Sequence, residues 1–203
     1  VDIDMIAGPS EIGVIADESA NPVHLAADLL SQAEHDPRAR AIMVTNSEKL
    51  ANLVSDEVER QLSQLPRESI ARPAIENNSY IAVMDSVEDM FTVMNEVAPE
   101  HLEIQLPDPM EYMSMVENAG SVFLGRYASE PLGDYVGGTN HVLPTSGTAK
   151  FSSPLGVYDF VKRISFTQFS RERLQGVAKD ITTLARTEGL EAHARAIEVR
   201  FEK

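Results

Sequence analysis

The chain has 203 residues, with 17 Lys and Arg against 32 Asp and Glu, a formal net charge of −15, and 43% apolar residues against 24% charged. That balance is globular rather than disordered, and its sign argues against sequence-independent nucleic-acid binding and against docking on anionic lipid, both of which need a basic surface. With no cysteine, disulfides, thiolate nucleophiles, iron-sulfur clusters and Cys-rich structural zinc are excluded, so any metal must use imidazole, carboxylate or amide ligands.

No apolar run approaches the roughly 20 residues of a membrane span, and Val1 to Met5 alternate with Asp instead of forming a signal peptide. These features point to a reducing, cytoplasmic setting. A chain that opens on Val1 in a strand pattern, without Met, reads as a piece of something longer.

In chain order, Val1, Ile3 and Met5 alternate as a strand, and Ile12 to Ala16 form a second after the Gly8-Pro9-Ser10-Glu11 turn. Asn21 caps a helix with Pro22 in first position, carried by Val23, Ala26, Ala27 and Leu30 until Pro37 follows His35. Strand Ala41 to Thr45 leads into a helix from Ser47, with Leu50, Leu53, Val54, Val58 and Leu62 on one stripe. Then come strand Tyr80 to Met84, helix Ser86 to Val97, strand His101 to Gln105, helix Pro109 to Asn118 and strand Ser121 to Leu124. Alternating strands and helices predict an α/β fold, an incomplete Rossmann-like, largely parallel sheet flanked by helices.

Residues 126 to 156 are rich in Gly and Pro with little periodicity, a long loop of the kind that usually serves a function. Two helical stretches follow, Arg171 to Arg186 and Leu190 to Phe201, separated by Glu188-Gly189. A boundary near residue 155 thus separates an α/β domain, 1 to 155, from a helical segment, 156 to 203. That segment is too short to bury its own surface and should pack on another domain or subunit.

The chemistry-bearing residues cluster in four places. Gln32 and His35 are spaced i, i+3 at the end of the first helix and could reach one ion, although spacing alone favours a solvated His near a helix C-terminus. Glu100 and His101 open an apolar strand; they can share a pocket only if Glu100 precedes the regular strand, since adjacent strand residues face opposite ways. A surface Glu beside an edge His explains them as well. Gly133 to His141 carries three glycines with Asp134 and His141, offering a hard oxygen and an imidazole on flexible backbone. Glu188 and His193 flank the entry to the last helix, where a surface role is ordinary. His24, beside Pro22, is assigned to structure.

Together, Ala7 to Glu11 (AGPSE), Asp28 to Pro37 (DLLSQAEHDP), Ala98 to Ile104 (APEHLEI), Gly133 to Gly147 (GDYVGGTNHVLPTSG) and Glu188 to Ala194 (EGLEAHA) resemble the C-terminal half of histidinol dehydrogenase, the NAD-linked enzyme that takes L-histidinol to L-histidine at the end of histidine biosynthesis. The resemblance implies that Gln32, His35, Asp134 and His193 ligate one Zn2+ per active site. It implies that Ser10, Gln32, His35, His101, Asp134, His141, Glu188 and His193 contact histidinol. It also makes Glu100 and His101 the catalytic pair, across two hydride transfers through histidinaldehyde. It further implies a homodimer whose C-terminal segment crosses to the neighbour's site, bringing Glu188 and His193, so that this chain alone should be inactive. No G-x-G-x-x-G follows any strand, so no cofactor-binding residue is assigned for NAD. Two other readings stay open: a zinc-dependent hydrolase with Glu100 as general base, and a non-catalytic module that holds a metal for dimerisation.

Overall fold

The computed structural model describes residues 6 to 202, so the expected strand at Val1 to Met5 lies outside the described residues. The chain forms two compact units, one up to Phe160 and one from Val161.

The first unit is built on five parallel strands: β1 (Glu11–Ala16), β2 (Arg40–Thr45), β3 (Tyr80–Val83), β4 (His101–Gln105) and β5 (Ser121–Leu124), in the order β3-β2-β1-β4-β5. Strand order reverses between β1 and β4, which pair in register from Ile12 opposite His101 to Ala16 opposite Gln105. Both strands are buried throughout, as parallel strands covered on two faces must be.

Helices α1 (Pro22–Ala33), α2 (Glu48–Leu62) and α3 (Glu68–Asn78) cover one face, packing on Ile12, Val14, Ala16, Ala41 and Met43. Helix α4 (Val87–Val97) covers the other with Met90, Phe91 and Met94 against Ile15, Ile42, Val44, Leu102 and Ile104. Each buried Leu, Ile, Phe or Met side chain contributes about 1.5–3 kcal/mol relative to exposure.

The expected fold class stands, with four corrections of detail. Helix α1 stops at Ala33, leaving His35 beyond the cap residue Glu34. Its buried stripe is Leu25, Ala26, Leu29, Leu30, Gln32 and Ala33, while Val23 and Ala27 are exposed. Pro109 to Asn118 is a 3-10 turn over Pro109–Met115 rather than a helix, entered through Asp108 in the left-handed region. Two helices have no counterpart in the sequence pattern. Helix α3 carries Pro73 in its interior, which costs a backbone hydrogen bond, and is held by buried Ala71 and Ala74. Helix α5 (Glu130–Tyr135) interrupts the expected long loop.

The second unit is a helical pair, α6 (Arg171–Thr187), capped by Ser170, and α7 (Glu191–Glu198), joined through Gly189 at φ +75°. Arg186 ties them by ion pairs to Glu191 and Glu198. Only Thr182, Ala185 and Ala194 are buried in these helices, while Leu184, Leu190 and Val199 are exposed. Among the described residues, no helix is long and apolar enough to cross a membrane.

Candidate active site

The alternation along β4 decides where polar chemistry collects. Leu102 and Ile104 face the α4 core, so His101, Glu103 and Gln105 must face the other way, toward the layer that holds α1. All five residues are buried, so that face is a polar stripe inside the protein and each group on it needs a partner.

His101 and Glu100 meet at the backbone of one residue, Glu11. The Glu11 N–H donates to Glu100 Oε2 at 3.0 Å, and His101 Nδ1 lies 3.0 Å from the Glu11 carbonyl oxygen. A carbonyl only accepts, so Nδ1 carries the proton and the lone pair of the neutral ring sits on Nε2. Glu100 precedes β4, which frees it from strand alternation and puts its carboxylate 3.7 Å from His101 Nδ1. Its position depends on close backbone approach: Ser121 N donates to Glu100 O at 2.9 Å, and a Cβ on Gly120 would meet that same oxygen at 2.5 Å. Gly120→Ala should therefore cost about 1–3 kcal/mol of stability and lower turnover together. Urea unfolding and steady-state kinetics of the complete protein check this.

Beyond Nε2 lies Glu130, which sequence reasoning missed. Its Oε1 is 3.6 Å from His101 Nε2, and one ligand atom from each of His101, Glu130 and Asp134 lies within 4.8 Å of the others. Ser129-Glu130-Pro131 has the form of a helix start, with a capping residue type and Pro in the first turn, and was the available signal. Gln32, on the last turn of α1, is 1% exposed and close enough to help hold the Glu130 carboxylate, yet its Nε2 makes no hydrogen bond. His101 Nε2 is likewise buried without a hydrogen bond. Two buried, unsatisfied nitrogens beside a carboxylate pair are what a site built for a polar ligand leaves behind. His35, exposed, is near enough to influence the charge of His101.

The electrostatics follow from burial. Desolvation, with the negative charges of Glu11 and Asp134, pushes Glu100 up to about 7. Burial and the neighbouring Asp134 carboxylate hold Glu130 well above the ordinary carboxylate range. Burial pushes His101 down, so its ring is neutral at physiological pH. Asp28 and Glu103, close enough to influence each other's charge, are both raised by burial.

The other expected residues are distributed differently. Ser10 is half-buried just before β1, in a segment joined to residues 144–147 by Gly8 N to Thr145 Oγ1 at 2.7 Å and Ser146 N to Glu11 Oε2 at 3.1 Å. His141 is exposed in a turn after α5. Glu188 caps α6 and His193 lies in the first turn of α7, both exposed and both in the second unit. The first unit thus brings together Gln32, His35, Glu100, His101 and Asp134, adding Glu130.

These groups gather at the amino ends of β1 and β4, where the strand order reverses. Nucleotides in open α/β sheets bind at the opposite, carboxyl ends. There the β1–α1 connection, Asp17 to Asn21, is acidic and without glycine.

A model of the histidinol dehydrogenase family matches residues 1–201. The chain belongs to the histidinol dehydrogenase family. It is 66% identical over 202 residues to the histidinol dehydrogenase of Lactiplantibacillus plantarum, covering 100% of this chain and 47% of that one. Against the histidinol dehydrogenase of Streptococcus mutans it is 64% identical over 203 residues, covering 100% and 48%. The crystal structure of histidinol dehydrogenase from Elizabethkingia anophelis superposes with a TM-score of 0.94 at 43% identity, over 100% of this chain and 46% of that one. The chain spans about half the length of the histidinol dehydrogenases it matches.

Proposed function

We propose that this chain supplies the zinc- and substrate-binding half of an NAD-linked histidinol dehydrogenase that oxidises L-histidinol to L-histidine through histidinaldehyde. The observation that carries the reading is the buried His101 ring, whose Nδ1 proton is committed to the Glu11 carbonyl while its free Nε2 faces Glu130.

When bound, zinc supplies a Lewis acid that orients the imidazole-bearing alcohol, and NAD supplies the hydride acceptor. Gln32, His35 and Asp134 fit the zinc by donor chemistry, being a Cys-free set of amide, imidazole and carboxylate around a buried unsatisfied nitrogen. His193, with Glu188, completes the site from a second copy of the chain in a homodimer, while Ser10 and His141 are further substrate contacts. No glycine-rich phosphate turn follows a described strand, so no residue of this chain is assigned to NAD.

His101 takes the alcohol proton on Nε2, and the imidazolium formed is stabilised by the Glu11 carbonyl and by Glu130. Glu130, ionised and 3.6 Å from Nε2, then takes the proton from the imidazolium and restores the neutral ring. In the second oxidation Glu100 deprotonates the water that adds to the aldehyde. Its Oε2 holds the Glu11 N–H, leaving Oε1 for that proton.

The complete enzyme should reduce NAD when given L-histidinol, lose turnover on chelation and regain it with zinc. Absence of NADH formation by the zinc-loaded complete enzyme would refute the assignment. Residues 1–203 alone should give no NAD reduction.

Metal binding should also be proton-coupled. Glu100 at about 7 and the raised Glu130 hold protons near neutrality, and a dication favours the ionised forms. Zinc titration of the metal-free complete enzyme at pH 6.5, by calorimetry in buffers of differing ionisation enthalpy, should register proton release. In the metal-free protein these folded-state values exceed the unfolded value of 4.5, so the folded state binds more protons and stability falls as pH rises from there through about 7. Glu100 alone contributes on the order of 3 kcal/mol to this loss. His101, lowered from 6.5, acts oppositely as pH falls below that value, one group against Glu100, Glu103 and Glu130. Urea midpoints should therefore be higher at pH 5.5 than at pH 8 in the metal-free enzyme, and the difference should shrink with zinc bound.

A further inference from the structure

Helix α5 carries both Glu130 and Asp134, yet it is six residues long and its N-cap residue, Ser129, makes no side-chain capping bond. So short a helix does not hold its own geometry in water. Its first N–H is satisfied from elsewhere in the fold: Glu130 N donates to Glu103 Oε1 at 2.9 Å, a buried bond across 27 residues of sequence.

Glu103 is 0% exposed at the middle of β4, two residues after His101 and on the same face. Its other oxygen, Oε2, accepts from Gln105 Nε2 at 3.0 Å. The same carboxyl group lies close enough to Asp28, one helical turn before Gln32 on α1, for each to influence the other's charge. One side chain therefore reaches the three elements of the first unit that bear its site residues: α1 with Gln32, β4 with His101, and α5 with Glu130 and Asp134. A carboxyl group at 0% exposure is costly to bury, and neither proton transfer nor metal ligation in the proposed mechanism uses this one.

We propose that Glu103 is a positioning residue for the metal site, a remote helix cap that fixes α5 so that Glu130 and Asp134 face His101 and Gln32. The inference rests on the proposed metal site and adds that the geometry of Asp134 is set from β4 rather than by its own loop. What the role requires is an acceptor oxygen at the Glu130 N–H, not a negative charge. Gln at this position keeps one oxygen for that N–H, and its NH2 keeps a partner at the other end once the Gln105 amide turns to present its oxygen. Asp keeps the charge but is one methylene too short to span from β4 to α5.

The test compares Glu103→Gln and Glu103→Asp in the complete enzyme, with zinc dissociation constants and thermal midpoints measured on each and Asp134→Ala as control. Glu103→Gln should bind zinc within about 3-fold of wild type, whereas Glu103→Asp should be weakened about 10- to 100-fold, the range found when groups that orient metal ligands are removed. Any other ordering, such as Glu103→Asp equal to wild type or Glu103→Gln as weak as Glu103→Asp, overturns the proposal. If Glu103→Asp does not fold, the exchange rate of the Glu130 amide in Glu103→Gln decides: protection as in wild type supports the cap, and its loss overturns it. Wild type that binds no zinc would sink the metal-site reading and this inference with it. Zinc binding that Asp134→Ala abolishes and Glu103→Asp leaves intact would sink this inference alone.

Discussion

His101→Asn should lower kcat of the complete enzyme by about 100- to 10,000-fold, the usual contribution of a positioned general base. Asn can still donate a side-chain N–H to the Glu11 carbonyl that His101 Nδ1 contacts, so the peptide linking β1 and β4 keeps its partner and the fold should survive. What is lost is the basic nitrogen aimed at Glu130. A uniform rise in KM at unchanged kcat would instead mean that the imidazole only helps to bind substrate. This variant also separates the dehydrogenase reading from a passive metal-holding module, for which turnover should be indifferent to the ring. The hydrolase alternative is separated by the product, since it produces no NADH.

The second large effect is expected at Asp134. Asp134→Ala removes a ligand that other groups cannot replace and should weaken zinc at least 10- to 100-fold, with turnover falling in step at limiting metal. A second consequence distinguishes it from simple unfolding. Asp134 is one of the charges that push Glu100 and Glu130 upward, so its removal should lower both. In the metal-free enzyme the decline of stability with pH should begin from the same unfolded-state value but end at a lower pH. Zinc titrations and urea unfolding across pH 5 to 8 measure both consequences.

The fold was legible in the sequence wherever periodicity and capping agreed. Ser47, Ser86 and Asn21 each accept from the backbone of the helices they were expected to begin, and β4 has the bounds read from its pattern. The misreadings have local causes. Pro73 disguised α3, because a missing N–H predicts a break that Ala71 and Ala74 packing overrides. Glycines at 133, 137 and 138 disguised α5, which is stabilised through Glu103 rather than by its own residues. The stripe of α1 lies one step round the helix from the expected one, because Val23 and Ala27 are apolar but exposed, and Gln32 is polar but buried.

The site was legible differently. Gln32, His35, Glu100, His101 and Asp134 were identifiable from short stretches, but neither spacing nor composition reveals which of them meet. Glu130, Glu103 and Asp28 carried weaker signals, each an acid placed where an apolar residue or a loop was expected. Glu103 lies between Leu102 and Ile104 on a strand buried on both faces, a position that an unpartnered charge cannot occupy. A buried acid of that kind reports a hidden polar network, and its partners become visible only when β4, α1 and α5 are brought together.

His101 Nε2 should be a free base beside the metal and not one of its ligands, although its ring nitrogen lies within 4.8 Å of ligand atoms of Glu130 and Asp134. Zinc content measured on purified, complete His101→Asn enzyme separates the two roles, because one lone pair cannot serve both. The expected result is wild-type zinc occupancy in a protein that no longer turns over. Loss of zinc in proportion to lost activity would show instead that His101 binds the metal and is not the free base.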